Sequence, residues 1–246
     1  MINTYNETSL HAVLKKMYAV EDDSLTEQKY GPFILDIRTR NGDAIEIQTA
    51  NISSLAKKSE YMLQNKKKIK IVHPVAVNKT IKTIRADGEL VSQRKSSAHP
   101  TVYSALRSMT GMYPYFLRKG FTLEVLYVEE LEIRRKTEEK VQTHNKSRRH
   151  LKDWIIIDKE LVQIYEKKVF KSKSDWINLL PVECRREFTK PLLQKTLKEQ
   201  LIKEGHSKTS AAKNSSYYPL LVWLLLKMEL IEESGMSGRA KLYKVI

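Results

Sequence analysis

Residues 32–49 read Pro-Phe-Ile-Leu-Asp-Ile-Arg-Thr-Arg-Asn-Gly-Asp-Ala-Ile-Glu-Ile-Gln-Thr, and no other stretch constrains the fold as much. Two β-rich runs, 33–38 and 44–49, flank an Asn-Gly turn signal, so the chain is expected to form a hairpin here. Asp36, Glu46 and Gln48 lie inside runs that are otherwise Ile, Leu and Phe. Carboxylates in apolar strands are costly unless something binds them. A divalent metal is the usual partner, because hard cations take carboxylate and carbonyl oxygens.

Side chains alternate faces along a strand. Phe33, Leu35 and Ile37 share one face, and Asp36 and Arg38 the other. A two-residue Asn41-Gly42 loop pairs Asp36 with Ile47 and separates it from Glu46. A three-residue loop, Asn41-Gly42-Asp43, pairs Arg38 with Glu46 and Asp36 with Gln48. That register buries Leu35, Ile37, Ile45 and Ile47 together, so the apolar pattern favours it. Asp36, Glu46 and Gln48 are then expected to form one polar cluster.

An Asp on one strand followed by Glu-x-Lys on the next resembles the PD-(D/E)XK superfamily of restriction-endonuclease-like nucleases. Asp36 and Glu46 match, and Gln48 stands where Lys is usual. The resemblance covers roughly residues 5 to 75. It implies an α/β fold, a mixed sheet flanked by helices, and metal-dependent hydrolysis of phosphodiester bonds. Mg²⁺ or Mn²⁺ would be held by Asp36, Glu46 and the Ile47 carbonyl. Glu7, on a preceding helix, matches an acidic residue the superfamily often adds. The stretch is also similar to uncharacterised bacterial proteins in which an E-I-Q-T strand precedes a helix, a V-x-P-V strand and an R-K-S segment.

Gln48 can orient water but carries no charge. A cation must then come from elsewhere. On a helical wheel through 52–65, Ile52, Leu55, Ser59, Met62 and Leu63 form the inward stripe. Lys58 falls at its flank and Lys57 points outward, which makes Lys58 the candidate. His11 reads as a packing or surface residue of a first helix, 7–18, with Leu10, Val13, Leu14 and Met17 inward.

The 246 residues carry 44 Lys and Arg against 29 Asp and Glu, a net charge of +15. Both halves of the chain are basic, which fits a duplex-DNA partner. The lone Cys184 excludes an internal disulfide and suits a reducing, cytoplasmic setting. No signal peptide is visible, and the apolar run 217–226 is too short to span a bilayer. No phosphate-cradling glycine motif supports a nucleotide cofactor. A homodimer is left open.

Further along, a strand 69–72 is expected to stop at His73-Pro74. A second hairpin, 80–84 with 89–92, a helix 101–109 and a strand 121–128 follow. The polar run 134–150 reads as a solvated helix or basic linker. The expected division is therefore a nuclease-like domain 1–136, a basic linker 137–150 and a domain 151–246. That last part reads as a smaller winged-helix (α+β) domain. It comprises a helix 174–180, a helix capped by Thr189 with Leu192, Leu193, Leu197 and Leu201 inside, a third helix 210–228 that Pro219 breaks or restarts, and a hairpin with its turn at 234–238. Arg94, Lys95, Lys208, Lys213, Asn214, Arg239 and Lys241 are the candidate DNA contacts. Two functions fit: a metal-dependent DNA endonuclease, or a DNA-binding scaffold on a nuclease-like core that no longer cuts.

Overall fold

The structure, a computed structural model, describes residues 7–21, 24–142 and 151–246. It opens with helix α1 (Ser9–Glu21), followed by the strands β1 (Leu25–Tyr30), β2 (Phe33–Arg38) and β3 (Ala44–Ile47). A short 3-10 turn, Ile52–Leu55, leads into helix α2 (Ala56–Gln64). Strands β4 (Ile69–Ile84) and β5 (Leu90–Lys95) form the second hairpin, and helix α3 (Val102–Met109) precedes β6 (Phe121–Gln142) and β7 (Leu151–Phe170). These seven strands make one mixed sheet in the order β1-β2-β3-β4-β6-β7, with β5 paired to β4. The result is an α/β fold, a mixed sheet flanked by helices.

Two apolar clusters sandwich the sheet. Leu10, Leu14 and Tyr18 of α1, one helical turn apart, cover Ile45, Ile47, Val72 and Leu126 on one face. Val13 and Met17, expected inward, are exposed. The alternate residues Ala44, Ile71 and Val125 join the larger core under α2 and α3. Gly31 turns β1 into β2 at φ +57°, and a Cβ there would meet the Tyr61 hydroxyl at 2.1 Å. Tyr61 packs edge-on against Tyr30 and Phe33, which seats α2 over the hairpin.

Three expectations are corrected here. Strand β4 does not stop at His73-Pro74 but runs sixteen residues, parallel to β6 throughout. Its parallel pairing with β3 ends at Val72, so Pro74 lies beyond the stretch where β3 pairs with β4. The basic run 134–142 is not a linker but the outer end of β6, and residues 143–150 lie outside the described ones. Residues 151–170 return as β7, antiparallel to β6, with register shifts that leave Ile157, Val162 and Tyr165 as extra residues on the edge strand. The boundary therefore moves from 137–150 to the end of β7.

Beyond it lie helix α4 (Lys173–Ile177), strand β8 (Glu187–Thr189), helices α5 (Lys190–Lys203), α6 (Lys208–Ser215) and α7 (Tyr218–Lys227), and the hairpin β9 (Ile231–Ser237) and β10 (Ala240–Val245). Their small sheet has the order β8-β10-β9. Thr189 caps α5 by accepting from the Leu192 N–H, and Pro219 restarts the chain as α7. Leu193, Leu197 and Leu201 are buried, whereas Leu192, expected inside, is exposed. The hairpin turn falls at 238–239, later than expected, because β9 stays paired to Ser237.

This part is not a separate body. Trp176 is fully buried between Phe116 and Phe170, at ring-centroid distances of 4.4 and 4.7 Å. The Tyr103 hydroxyl donates to the Leu179 carbonyl at 2.9 Å. Residues from both parts share one continuous core.

Candidate functional site

The hairpin register differs from the expected one by two residues. Ile37 faces Ile45 and Arg38 faces Ala44, so continuation of the ladder sets Asp36 opposite Glu46. The Thr39 N–H donates to the Asp43 carbonyl, which makes the three-residue loop 40–42. A shift of two preserves the parity of the pairing, so Asp36 and Glu46 remain cross-strand neighbours.

Pairing between β2 and β3 then stops. In the parallel pair with β4, Ile47 directs its N–H and carbonyl away from β4, toward the gap. The Asp36 Oδ2 accepts that N–H at 2.8 Å. The Asp36 N–H in turn donates to the Glu46 Oε1 at 3.3 Å. The β-alternation breaks here too. Leu35 joins the larger core and Ile37 the smaller one, and Glu27, across from Asp36 on β1, has φ 53°. The irregularity in the strands sits at the carboxylates.

Glu46 is only 2% exposed. Lys58 reaches in from α2, its Nζ donating to the Glu46 Oε2 at 2.5 Å and to the Ile34 carbonyl at 2.7 Å. Burial, and then the charge of Asp36, push the Glu46 carboxyl up to about 7, although Lys58 opposes the shift. Burial acts the same way on Asp36, but hydrogen bonds from His11 and the Ile47 N–H outweigh it and hold that carboxyl below its ordinary value.

His11 of α1 brings in the third carboxylate. Its Nε2 lies 3.4 Å from the Asp36 Oδ2, and its Nδ1 2.5 Å from the Glu7 Oε1. Burial lowers its proton affinity, yet the two carboxylates raise it above the ordinary value overall. Lys15 stands 2.7 Å from Glu7 and 2.8 Å from Glu27. Glu7 thus reaches Asp36 through an imidazole. Sequence reading did not assign His11 here; Glu7, expected on the first helix, lies two residues before α1, where its carboxylate meets the His11 ring.

Gln48 flanks the cluster without joining it: its Nε2 donates to the Asn51 carbonyl at 3.2 Å. Of the proposed DNA contacts, Arg94 and Lys95 are exposed on β5, Lys208 and Lys213 on α6, and Arg239 at the hairpin turn. Lys241 is paired with Glu233 at 2.8 Å. Asn214 is a correction. It is 3% exposed, its Nδ2 donates to the His99 carbonyl at 2.9 Å, and it accepts from the Thr101 hydroxyl, so it fastens α6 to α3 and faces no solvent.

Among the described residues no group of three or more His, Cys, Asp or Glu side chains is arranged to hold a metal ion. The protein offers two carboxylates and a carbonyl facing one gap. A cavity of about 720 Å³ lies elsewhere, between Tyr103 and Tyr127 on one side and α4 and α5 on the other. No helix is long and apolar enough to cross a membrane among the described residues.

The class this architecture defines is a mixed α/β protein with a carboxylate–lysine centre where two strands of its sheet part. Residues 8–171 match the domain-of-unknown-function family DUF8091, and the chain belongs to that family. The match ends one residue past β7, where the α5–α7 part begins. No curated protein and no solved structure matches the chain.

Proposed function

We propose that the chain is a metal-dependent DNA endonuclease of the PD-(D/E)XK type. The observation that carries this reading is the contact between Lys58 and Glu46, beside Asp36 and at the parting of β2 and β3. A cation from α2 stands where Gln48 supplies none.

Mg²⁺ or Mn²⁺ fits the donor set. The oxygens are hard, and Glu46 carries more negative charge nearby than Lys58 relieves. Asp36, Glu46 and the Ile47 carbonyl would hold it, with Glu7 behind His11. Bound there, the ion would lower the pKa of a water and offset charge on the phosphate. The chain's own groups do the rest. Lys58 swings between Glu46 and the negative phosphate oxygens, Gln48 orients water, and His11 fixes the Asp36 carboxylate.

Elements beyond β7 support a winged-helix reading: three helices between β8 and a terminal hairpin, with strand order β8-β10-β9. Lys208, Lys213 and Arg239 would meet backbone phosphates, as would Arg94 and Lys95 of β5. Since this part shares its core with the sheet, the full chain is the unit to test.

A second reading is a DNA-binding scaffold that does not cut. Gln48 favours it, because an uncharged amide stands where Lys is usual and its Nε2 is turned to the Asn51 carbonyl. Supercoiled plasmid with Mg²⁺ or Mn²⁺ separates the two. The nuclease reading expects nicked product from the parent and none from Glu46→Ala at equal DNA affinity. Equal cutting by both proteins overturns the assigned site, and no cutting with either ion favours the scaffold.

A further inference from the structure

His73 occupies an unusual place beside this centre. In the parallel ladder between β3 and β4, Ala44 and Gln48 donate to the carbonyls of Lys68 and Val72, both at 2.9 Å. The next donor owed to the Gln48 carbonyl is the N–H of residue 74, and Pro74 has none. The His73 ring supplies it instead, its Nδ1 donating to the Gln48 carbonyl at 2.5 Å. A carbonyl only accepts, so Nδ1 carries the hydrogen and Nε2 is left with a lone pair. No hydrogen bond occupies that Nε2 among the described residues. His73 is 6% exposed, and burial holds its proton affinity below the ordinary value.

The ring lies at one end of a groove of about 340 Å³. The groove begins at Thr49, directly after Gln48, and runs past Ser104 to Lys79, Arg134 and Lys159. It lies on the carboxylate's side of the sheet. Glu46 faces Ile71 in the ladder, and His73, two residues on, shares the Ile71 face. Its cations differ in freedom. Lys79 and Arg134 are bound to Glu132 at 2.9 and 2.5 Å, whereas the nearest carboxylate to Lys159 is Glu130 at 3.9 Å.

We propose that this groove is a nucleotide subsite of the same centre. It seats the nucleotide beside the cut, with a phosphate toward Lys159 and Arg134 and a base amine donating to the His73 Nε2. The volume is at the small end of the ~300–1,000 Å³ typical of ligand sites, enough for one unit and not a duplex. The inference rests on the nuclease reading for the identity of its ligand. His73 acts in it as a binding group and, through the Gln48 carbonyl, as a positioning residue.

The test uses the full chain carrying Glu46→Ala, with its histidines labelled with ¹⁵N, titrated with a nucleoside 5′-monophosphate, a short single-stranded oligonucleotide and inorganic phosphate. The expected result is a shift of one neutral Nε2 resonance with the nucleotide and oligonucleotide. Lys159→Ala should then weaken both at least tenfold. Phosphate binding as tightly as the nucleotide, or a silent His73 with unchanged affinity in Lys159→Ala, overturns the subsite. In the cutting protein, His73→Asn retains a donor for the Gln48 carbonyl but loses the ring acceptor. It should raise KM severalfold and leave kcat near the parent value. Glu46-dependent cutting with parental KM in both His73→Asn and Lys159→Ala removes the subsite and leaves the nuclease. Nucleotide binding at His73 in a protein that never cuts does the reverse.

Discussion

Two clusters of buried and half-buried carboxylates lie on this sheet, and they are solved in opposite ways. At the outer end, Glu130 and Glu132 are met by Lys79, at 2.8 and 2.9 Å, and Arg134 adds a 2.5 Å contact to Glu132. Burial raises the Glu132 carboxyl, but these cations outweigh it and hold it below the ordinary range. Two carboxylates there have two close cations. At the parting of β2 and β3, Asp36 and Glu46 share Lys58 and an imidazole, and Glu46 is left near 7. The first cluster is an ion-pair network in which each carboxylate has a close cation. The second leaves charge unrelieved where β2 and β3 part, and under the proposed function an additional cation would relieve it.

The largest expected effect is catalytic. Lys58→Met should lower plasmid nicking on the order of 10²-fold, since it removes a charge positioned beside the reacting group. DNA affinity, read by filter binding, should move little. Undiminished nicking would separate Lys58 from the chemistry and make its pair with Glu46 as structural as the outer one.

Next comes stability against pH. The folded value for Glu46 lies above its ordinary 4.5, so the stability it contributes is present below pH 4.5 and is lost as pH rises through about 7. Glu46→Gln removes that loss and should stabilise the protein at pH 8 by roughly 3 kcal/mol, with no gain at pH 4. Thermal melts at the two pH values check it. A variant less stable than the parent at pH 8 contradicts the unrelieved charge.

The same substitution in the outer cluster should have the opposite sign. Glu132 has a depressed folded value, so its stability is present above the ordinary carboxylate range and is lost as pH falls. Glu132→Gln should therefore cost about 1.5–3 kcal/mol at pH 8. If both substitutions stabilise, the two clusters do not differ in kind.

The smallest effect is on binding. Removing Arg94 or Lys95 should reduce the salt slope of duplex-DNA binding by about one each, leaving sequence preference unchanged. An unchanged slope takes β5 out of the contact surface.

Much of the inner cluster was legible before any coordinates. Alternation made Asp36 and Glu46 cross-strand neighbours but missed the break that sends Leu35 to the larger core and Ile37 to the smaller, and a helical wheel picked Lys58 over Lys57. The register slipped by two because Asp43 looks like a loop residue. Its side chain accepts the Lys68 N–H and its own N–H donates to the Thr39 hydroxyl, so it closes the loop from the strand side. The outer cluster was illegible: the expected strand stopped at 128 and Arg134 read as the start of a polar run, and only pairing with Lys79 across the sheet makes Glu130 and Glu132 an interior. Asn214 misled for the same reason, since a buried amide and an exposed one are spelled alike. The length of β4 was hidden by Pro74, which breaks a strand only where its missing N–H cannot be replaced.

The most direct test of the inner site is a pH titration of the glutamate side-chain carboxyls, labelled with ¹³C and assigned through Glu46→Gln, with and without Mg²⁺. One resonance, lost in the variant, should titrate with a midpoint near 7 and move to lower pH when Mg²⁺ is added. A Glu46 carboxyl that titrates in the ordinary range, or one that Mg²⁺ leaves in place, contradicts a metal-dependent centre at Asp36 and Glu46.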